Sequence, residues 1–328
     1  MILDARELKR RQLLRLKGIE QGRALIGPAV VQVHVANRCN LSCRFCYYFA
    51  PGSPNVPVGA NKLSVKLFAK IVRDCINLKV DWLNLSAQGE PTLHPRFYDL
   101  LRYAERHPIA ISMNSNGAFP FNRCRDILRA DRIVINVGEA DREHYKELQG
   151  QDFFVRVIKN IRELAKLKAK YNPRFQIVAV LIKTTLNAEH LEATTQLLKK
   201  IGVDDVRSVK AEAWEYTQDI MLPESLSEPP PKEWLPCYHG WFYSSIQLDG
   251  QVNLCCFMQE LKIGKVEEAR SFKEVWSSDA YAKARLAAVS GKGFEKYVEC
   301  KNCPVAFRNR EHGANLAEFQ KRYHESKA

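Results

Sequence analysis

Apolar and polar positions alternate along this chain in two periods. Short, mostly apolar runs recur at Val30–Val35, Trp82–Ser86, Ile109–Met113, Arg132–Val137, Phe175–Ile182 and Val206–Ala211, and each reads as a strand. Between them, apolar residues fall three and four apart, as on one helix face: Leu63–Leu78, about Arg96–Arg106, Phe121–Ala130, Phe153–Tyr171 and Ala188–Ile201. The first of these carries Leu67, Phe68, Ile71, Val72 and Cys75 on one stripe, so Cys75 reads as a core residue; Cys124 reads as packing for the same reason. Strand and helix repeating in this order predict an α/β fold with a parallel sheet and right-handed crossovers. A leucine- and arginine-bearing helix, Met1–Lys17, precedes the series, and Pro223–Pro236, with Pro229-Pro230-Pro231, reads as a stiff linker after it. Beyond the linker, Phe242–Leu248, Asp249-Gly250 and Gln251–Leu254 predict a β-hairpin with an Asp-Gly turn. Lys265–Ala288 follows as a helical stretch, with Phe272, Val275 and Trp276 at helical spacing.

Composition narrows the setting. The 328 residues are 46% hydrophobic and 27% charged, an ordinary globular balance. No stretch approaches the ~18 apolar residues of a membrane span, and Met1–Lys17 lacks an apolar signal core, so a cytoplasmic protein without membrane contact is expected. Ten cysteines in such a chain argue for metal rather than disulfides. The net charge of +13 attracts anions. An acidic electron donor such as a flavodoxin or ferredoxin, a phosphorylated or nucleotide-linked substrate, and nucleic acid all fit, beside a solvated basic surface with no specific role. The N-terminal basic helix lacks the interleaved aromatics of a single-strand binder, so it reads as a helix lying against the domain rather than a nucleic-acid arm.

The chemistry concentrates in Cys39-Asn40-Leu41-Ser42-Cys43-Arg44-Phe45-Cys46, directly after the first strand. Three thiols this close suit a 4Fe-4S cube, whose fourth iron they leave open for a small-molecule ligand; three structural cysteines or half of a zinc site are the plainer readings. The CxxxCxxC spacing, with Phe45 before the third cysteine, resembles the signature of the radical S-adenosylmethionine (radical SAM) enzymes. That resemblance implies a partial (β/α)6 barrel over residues 27–222, between a basic helix at 1–26 and the linker at 223–236, with a small C-terminal domain at 237–310 and a final helix at 311–328. It implies that SAM chelates the open iron through its amino and carboxylate groups. One electron then cleaves SAM to methionine and a 5′-deoxyadenosyl radical that takes hydrogen from a substrate carbon. Gln88-Gly89-Glu90 looks like the family's Gly-Gly-Glu motif with Gln88 in the first place, which assigns Gly89 and Glu90 to the methionine ammonium; alone, the segment is a turn. Met113-Asn114-Ser115-Asn116-Gly117 is similar to the family's Thr-Asn-Gly strand ending, offering Asn114 and Asn116 to the ribose or the SAM carboxylate, or else serving a turn. Asn136 stands where relatives often have a SAM-contacting serine, and Phe45 is assigned to the adenine face. Lys183, at the carboxyl end of the fifth strand, could neutralise a carboxylate or be a solvated strand-end lysine.

A second thiol set follows the linker: Cys237, twelve residues, Gly250, four residues, Cys255, then Cys300 and Cys303. The hairpin would bring Cys237 near Cys255, and four thiolates would complete a second 4Fe-4S cube or a zinc site. This stretch resembles the SPASM/twitch extension of radical SAM enzymes. With no cysteine after Cys303, the resemblance implies the shorter, twitch-type form with one auxiliary cluster. Cys256 could return a hydrogen atom to the opposite face of a substrate radical, giving epimerisation, or simply pack. Glu212 could deprotonate an alcohol radical, or belong to a solvated edge with Lys210 and Glu215. The expected function is dehydrogenation or epimerisation of a small polar substrate, anionic forms included: a sugar, an aminocyclitol or a nucleotide conjugate. The alternatives are a ribosomal-peptide maturase, an RNA-modifying enzyme, and a non-catalytic iron-sulfur carrier or scaffold. The maturase lacks support from a separate peptide-recognition domain or a third cluster.

Overall fold

Every run predicted to be a strand is one, with ends shifted by a residue or two. The computed structural model describes residues 4–59, 62–211, 214–222, 236–256, 261–291, 300 and 306–325, so Glu212, Cys303 and nearly all of the proline-rich linker lie outside the described residues. The strands are β1 (Val30–His34), β2 (Trp82–Ser86), β3 (Ala110–Ser115), β4 (Arg132–Asn136), β5 (Gln176–Lys183) and β6 (Asp205–Lys210). They lie side by side in chain order and pair parallel throughout. Helix α1 (Ala5–Glu20) precedes them; α2 (Val65–Asn77), α3 (Phe97–Glu105), α4 (Cys124–Ile127), α5 (Arg142–Gln149), α6 (Phe154–Tyr171) and α7 (Leu191–Lys200) fill the connections. The sheet stays open because the free edge of β1 is taken by β7 (Tyr243–Ile246), again parallel. The result is a partial (β/α)6 barrel.

The predicted hairpin is present, β7 turning through Gly250 (φ +78°) into β8 (Gln251–Asn253). It continues the main sheet rather than standing apart from it. A further antiparallel strand, β9 (Lys262–Lys265), completes nine strands among the described residues. Lys265–Ala288 divides into α9 (Phe272–Trp276) and α10 (Asp279–Ser290), because Ser271 and Ser278 each cap a helix start by accepting a backbone N–H, from Glu274 and Tyr281. Phe121–Ala130 contracts to a 3₁₀ turn followed by α4.

One sheet face is apolar: Val31, Val33, Leu83, Leu85, Met113, Ile133 and Ile177 are buried against Phe68, Ile71, Phe97 and Ile161 of the helices, with Cys75 and Cys124 in the same core. The other face carries Gln32, His34, Asn84, Ser86, Ser112, Asn114 and Asn136. Parallel strands covered on both sides normally read as continuous apolar runs. Alternation here means that the inner face is left for something polar. Helix α1 docks on the barrel through Arg15, whose buried guanidinium donates to Asp81 Oδ2 (2.6 Å) and to the carbonyls of Gly27 and Pro28. Leu16 joins Trp241 and Phe242 of α8 (His239–Phe242) and Leu316 of α11 (Ala306–Glu325) in a separate cluster. No helix among the described residues is long and apolar enough to cross a membrane.

Candidate cofactor and substrate site

The carboxyl ends of β1 to β4 meet at one rim, and the cysteine loop lies on it. Cys46 N–H donates to Cys43 O (2.9 Å), closing the loop, while Leu41 N–H and Phe49 N–H approach the sulfurs of Cys39 and Cys46 at 3.4 Å. The loop is stitched to the end of α5, with Ser42 N–H on Gln149 O (3.2 Å) and Arg44 N–H on Leu148 O (3.0 Å). Gly150 caps α5 at φ +76°, and a Cβ there would stand 2.1 Å from Ser42 Oγ and 2.7 Å from Ser42 O. Only a glycine lets this helix end reach the loop. Burial pushes the Cys39 thiol up to about 11, with Glu90 and Cys46 adding to it, and raises Cys43 and Cys46 as well. Cys39, Cys43 and Cys46 form no disulfide. Without a metal they are neutral thiols, so a cation that takes them as ligands must displace protons.

Gln88-Gly89-Glu90 runs against the approach to the loop. Gln88 N–H donates to Ala36 O (3.1 Å) and Glu90 N–H to Arg38 O (2.7 Å). A Cβ on Gly89 would fall 2.1 Å from Arg38 O. Glu90 is 1% exposed. Its Oε1 accepts from Thr92 Oγ1 (2.6 Å), Thr92 N–H (3.1 Å) and Ser115 Oγ (3.0 Å), its Oε2 from Asn116 N–H (2.7 Å). Burial raises its pKa and these bonds pull it back. The carboxylate thus brackets the exits of β2 and β3. Asn116 passes the connection on, its Nδ2 donating to Asn40 Oδ1 (2.7 Å) inside the cysteine loop. Asn114 is half-buried on the inner face of β3. Asn136 accepts at Oδ1 from Gln149 Nε2 (3.2 Å), whose Oε1 accepts the Cys43 thiol (2.6 Å). Phe45, together with Ile182 and Leu186, packs against the buried cluster of Ala211, Ile220 and Met221, across the rim toward β5 and β6.

On the inner face at the carboxyl end of β1, His34 is 3% exposed. Tyr243 Oη donates to Gln32 Oε1 (2.7 Å), which turns the Gln32 amide NH₂ toward His34 Nε2 (3.0 Å). Nε2 therefore accepts and the ring proton sits on Nδ1. That Nδ1 and Asn84 Oδ1, on the strand position facing Gln32, are buried without a partner among the described residues. Burial holds His34 down to about 4, against an ordinary 6.5. Between those pH values an unfolded chain takes up a proton here that the folded chain refuses. Stability is full above pH 6.5 and falls by about 3 kcal/mol as the pH drops to 4. Urea unfolding of the apoprotein across this window should show the slope, and His34→Gln should flatten it; equal slopes would remove His34 as its source.

In the C-terminal part, Cys237 donates its N–H to Ala288 O (3.1 Å), and Cys255 lies just past β8, with Leu254 between. Cys237, Cys255 and Cys300 all pack against the main core, and Cys256 is half-buried beside them in sequence. Cys303 and Glu212 lie outside the described residues, and among the described residues no group of three or more His, Cys, Asp or Glu side chains is placed so as to hold a metal ion. The fit to a cofactor rests on the donor chemistry: three soft thiols on one rim loop, beside orphaned polar atoms facing the barrel interior. Gln149, Asn40, His34 and Asn84 are site residues that sequence reasoning did not single out. Gly150 alone carried a signal, as a helix stop.

A parallel, unclosed barrel with its chemistry at the carboxyl rim and thiols on the first loop defines an α/β protein built to hold a metal cluster there. Comparison with known sequences gives the family: residues 33–205 match the radical SAM superfamily and residues 237–304 the SPASM iron-sulfur cluster-binding domain. The chain belongs to the radical SAM superfamily and carries this extension, and its cofactors are the family's 4Fe-4S cluster and SAM with auxiliary iron-sulfur in the extension. A probable GTP 3′,8-cyclase of Metallosphaera sedula is 28% identical over 192 residues, 58% of this chain and 56% of that protein. The chain spans about half the length of the cyclase relatives it matches. The tungsten-containing aldehyde ferredoxin oxidoreductase cofactor-modifying protein of Pyrococcus furiosus is 21% identical over 317 residues, 83% of this chain and 86% of that protein. Streptococcus suis SuiB, solved with S-adenosylmethionine, shares the fold at TM-score 0.66 and 14% identity over 82% of this chain and 70% of its own.

Proposed function

We propose that this protein holds the SAM-binding cluster on Cys39, Cys43 and Cys46 and acts on a small polar substrate by dehydrogenation or epimerisation. When bound, the cluster and SAM supply a one-electron cleavage that yields methionine and a 5′-deoxyadenosyl radical. The observation that carries the reading is the coincidence of the three-thiol loop with a polar inner face at the same rim. Gln32, His34, Asn84 and Asn114 offer donors and acceptors where a closed barrel would be filled with aliphatic side chains. Asn114, Asn136, Phe45 and the Gly89 backbone orient SAM, while Glu90 shapes their loops through its four bonds. Cys237, Cys255, Cys300 and Cys303 would hold the auxiliary cluster, and a cluster with all four irons ligated by protein would supply electron transfer rather than substrate binding. Of the substrate classes, a nucleotide conjugate has support from the names of the cyclase relatives and from the net charge of +13, which also suits an acidic reductase. In dehydrogenation Glu212 takes the proton of an alcohol radical; in epimerisation the Cys256 thiol gives a hydrogen atom to the face opposite the abstraction, and the thiyl radical left behind is restored by one electron from the external reductase and one proton from solvent.

Anaerobic reconstitution should load about eight irons, four to each cube. Reduction in the presence of SAM should release 5′-deoxyadenosine, with deuterium carried over from a labelled sugar, aminocyclitol or nucleotide. Full iron loading with no 5′-deoxyadenosine would leave a scaffold. Cys256→Ala should keep 5′-deoxyadenosine formation and lose the epimerised product; unchanged product turnover would remove Cys256 from the chemistry.

A further inference from the structure

Gln149 is the last residue of α5 and is fully buried, yet its side chain is polar at both ends. Its Oε1 accepts the Cys43 thiol proton at 2.6 Å and its Nε2 donates to Asn136 Oδ1 at 3.2 Å. Its own carbonyl holds Ser42 N–H, so the residue grips the cysteine loop by backbone and side chain together. Gly138, at φ +75°, keeps the space for the amide: a Cβ there would lie 2.5 Å from Gln149 Nε2.

This orientation suits only a protonated Cys43. A thiolate has no proton to offer, and an amide oxygen facing it would set two negative ends together in a buried, weakly screened place. A primary amide carries its donor and its acceptor on one plane, so a half-turn about the last side-chain bond exchanges them in place. The NH₂ then faces the sulfur and the oxygen faces Asn136. The Asn136 amide can answer with the same half-turn, presenting its own NH₂.

We propose that Gln149 is a positioning residue for the SAM-binding cluster: in the loaded protein its amide N–H donates to the Cys43 thiolate and sets the cluster's reduction potential, with Asn136 holding the turned amide. The proposal rests on the reading that Cys43 is a cluster ligand. A donor on a ligand sulfur withdraws electron density, which favours the reduced cluster; hydrogen bonds to the sulfurs are among the levers that set such potentials.

The test is a potentiometric titration of the reconstituted full chain, following the reduced-cluster EPR signal that SAM addition perturbs, which separates it from the auxiliary centre. Gln149→Met removes the donor at similar length, and Gln149→Glu replaces it with an acceptor. Each should lower the reduced-to-oxidised ratio at a fixed potential about tenfold, equivalent to about 59 mV for one electron, with the larger shift in Gln149→Glu. If either variant loads no iron, pulsed EPR of the wild-type protein carrying ¹⁵N in its glutamine side chains reads the same contact, as a nitrogen coupling to the reduced cluster. Unshifted ratios with full iron, or no side-chain ¹⁵N coupling in the wild type, would overturn the proposal alone. Failure of the wild type itself to take a SAM-responsive cluster would overturn the reading beneath it as well.

Discussion

Cys43→Ala is expected to cut 5′-deoxyadenosine formation at least about a thousandfold, or about 4 kcal/mol of barrier, while leaving the fold in place. The loop backbone does not depend on this thiol: Ser42 N–H and Arg44 N–H on either side are held by carbonyls of α5, and Cys46 N–H by Cys43 O, which alanine keeps. What would disappear is one of the three ligands proposed for the cluster. Iron content should drop by about four of about eight, with circular dichroism unchanged, and Cys39→Ala and Cys46→Ala should behave alike. Cys75→Ala and Cys124→Ala, in the helix-side core, should keep both iron and turnover. A Cys43→Ala protein with its full iron and its full turnover would end the assignment of this loop.

Gly89→Ala is expected to damage the same site without touching a donor atom. The added methyl would arrive 2.1 Å from Arg38 O and 2.5 Å from Arg38 C, both backbone atoms in the segment that leads into Cys39. Neither can swing aside as a side chain would. The strain should part the bond from Glu90 N–H to Arg38 O, with a stability loss of about 3 kcal/mol, the upper part of the usual range for overpacking. Because the moved segment carries Cys39, iron uptake should fall together with the urea midpoint. A variant of native midpoint and native iron would show that the contact yields more easily than its geometry implies.

Several parts of this site were visible in the sequence and several were not, for physical reasons that differ. Three cysteines in eight residues constrain one another through the covalent chain, so their meeting at the end of β1 needs no long-range information. The polar inner face was not read: Gln32, His34, Asn84 and Ser86 lie in short runs that register as strands, and their alternation with apolar residues is equally that of a half-solvated antiparallel strand. Helix α5 could not be seen: its eight residues bury only Tyr145, Leu148 and Gln149, too few to show a period. Strand β9, Lys-Ile-Gly-Lys, is shorter still. With α5 hidden, Gln149 was one more polar residue, 106 positions from the thiol it touches. Glu90 was visible as a carboxylate at a strand end, but its four donors come from two different loops, which turned a free acid into a bracket.

The amino-acid sequence by itself determined the order of the six parallel strands and of most helices between them, the clustering of thiols and the polar endings of β2, β3 and β4. Periodicity and chain spacing act over a few residues and survive without knowledge of the fold. Only the tertiary structure decided that β7 closes on the edge of β1, that α5 seizes the cysteine loop, and which polar groups face each other across the rim. Those contacts join residues far apart in the chain, and their partners are chosen by the packing of sheet edges and loop ends rather than by any local preference.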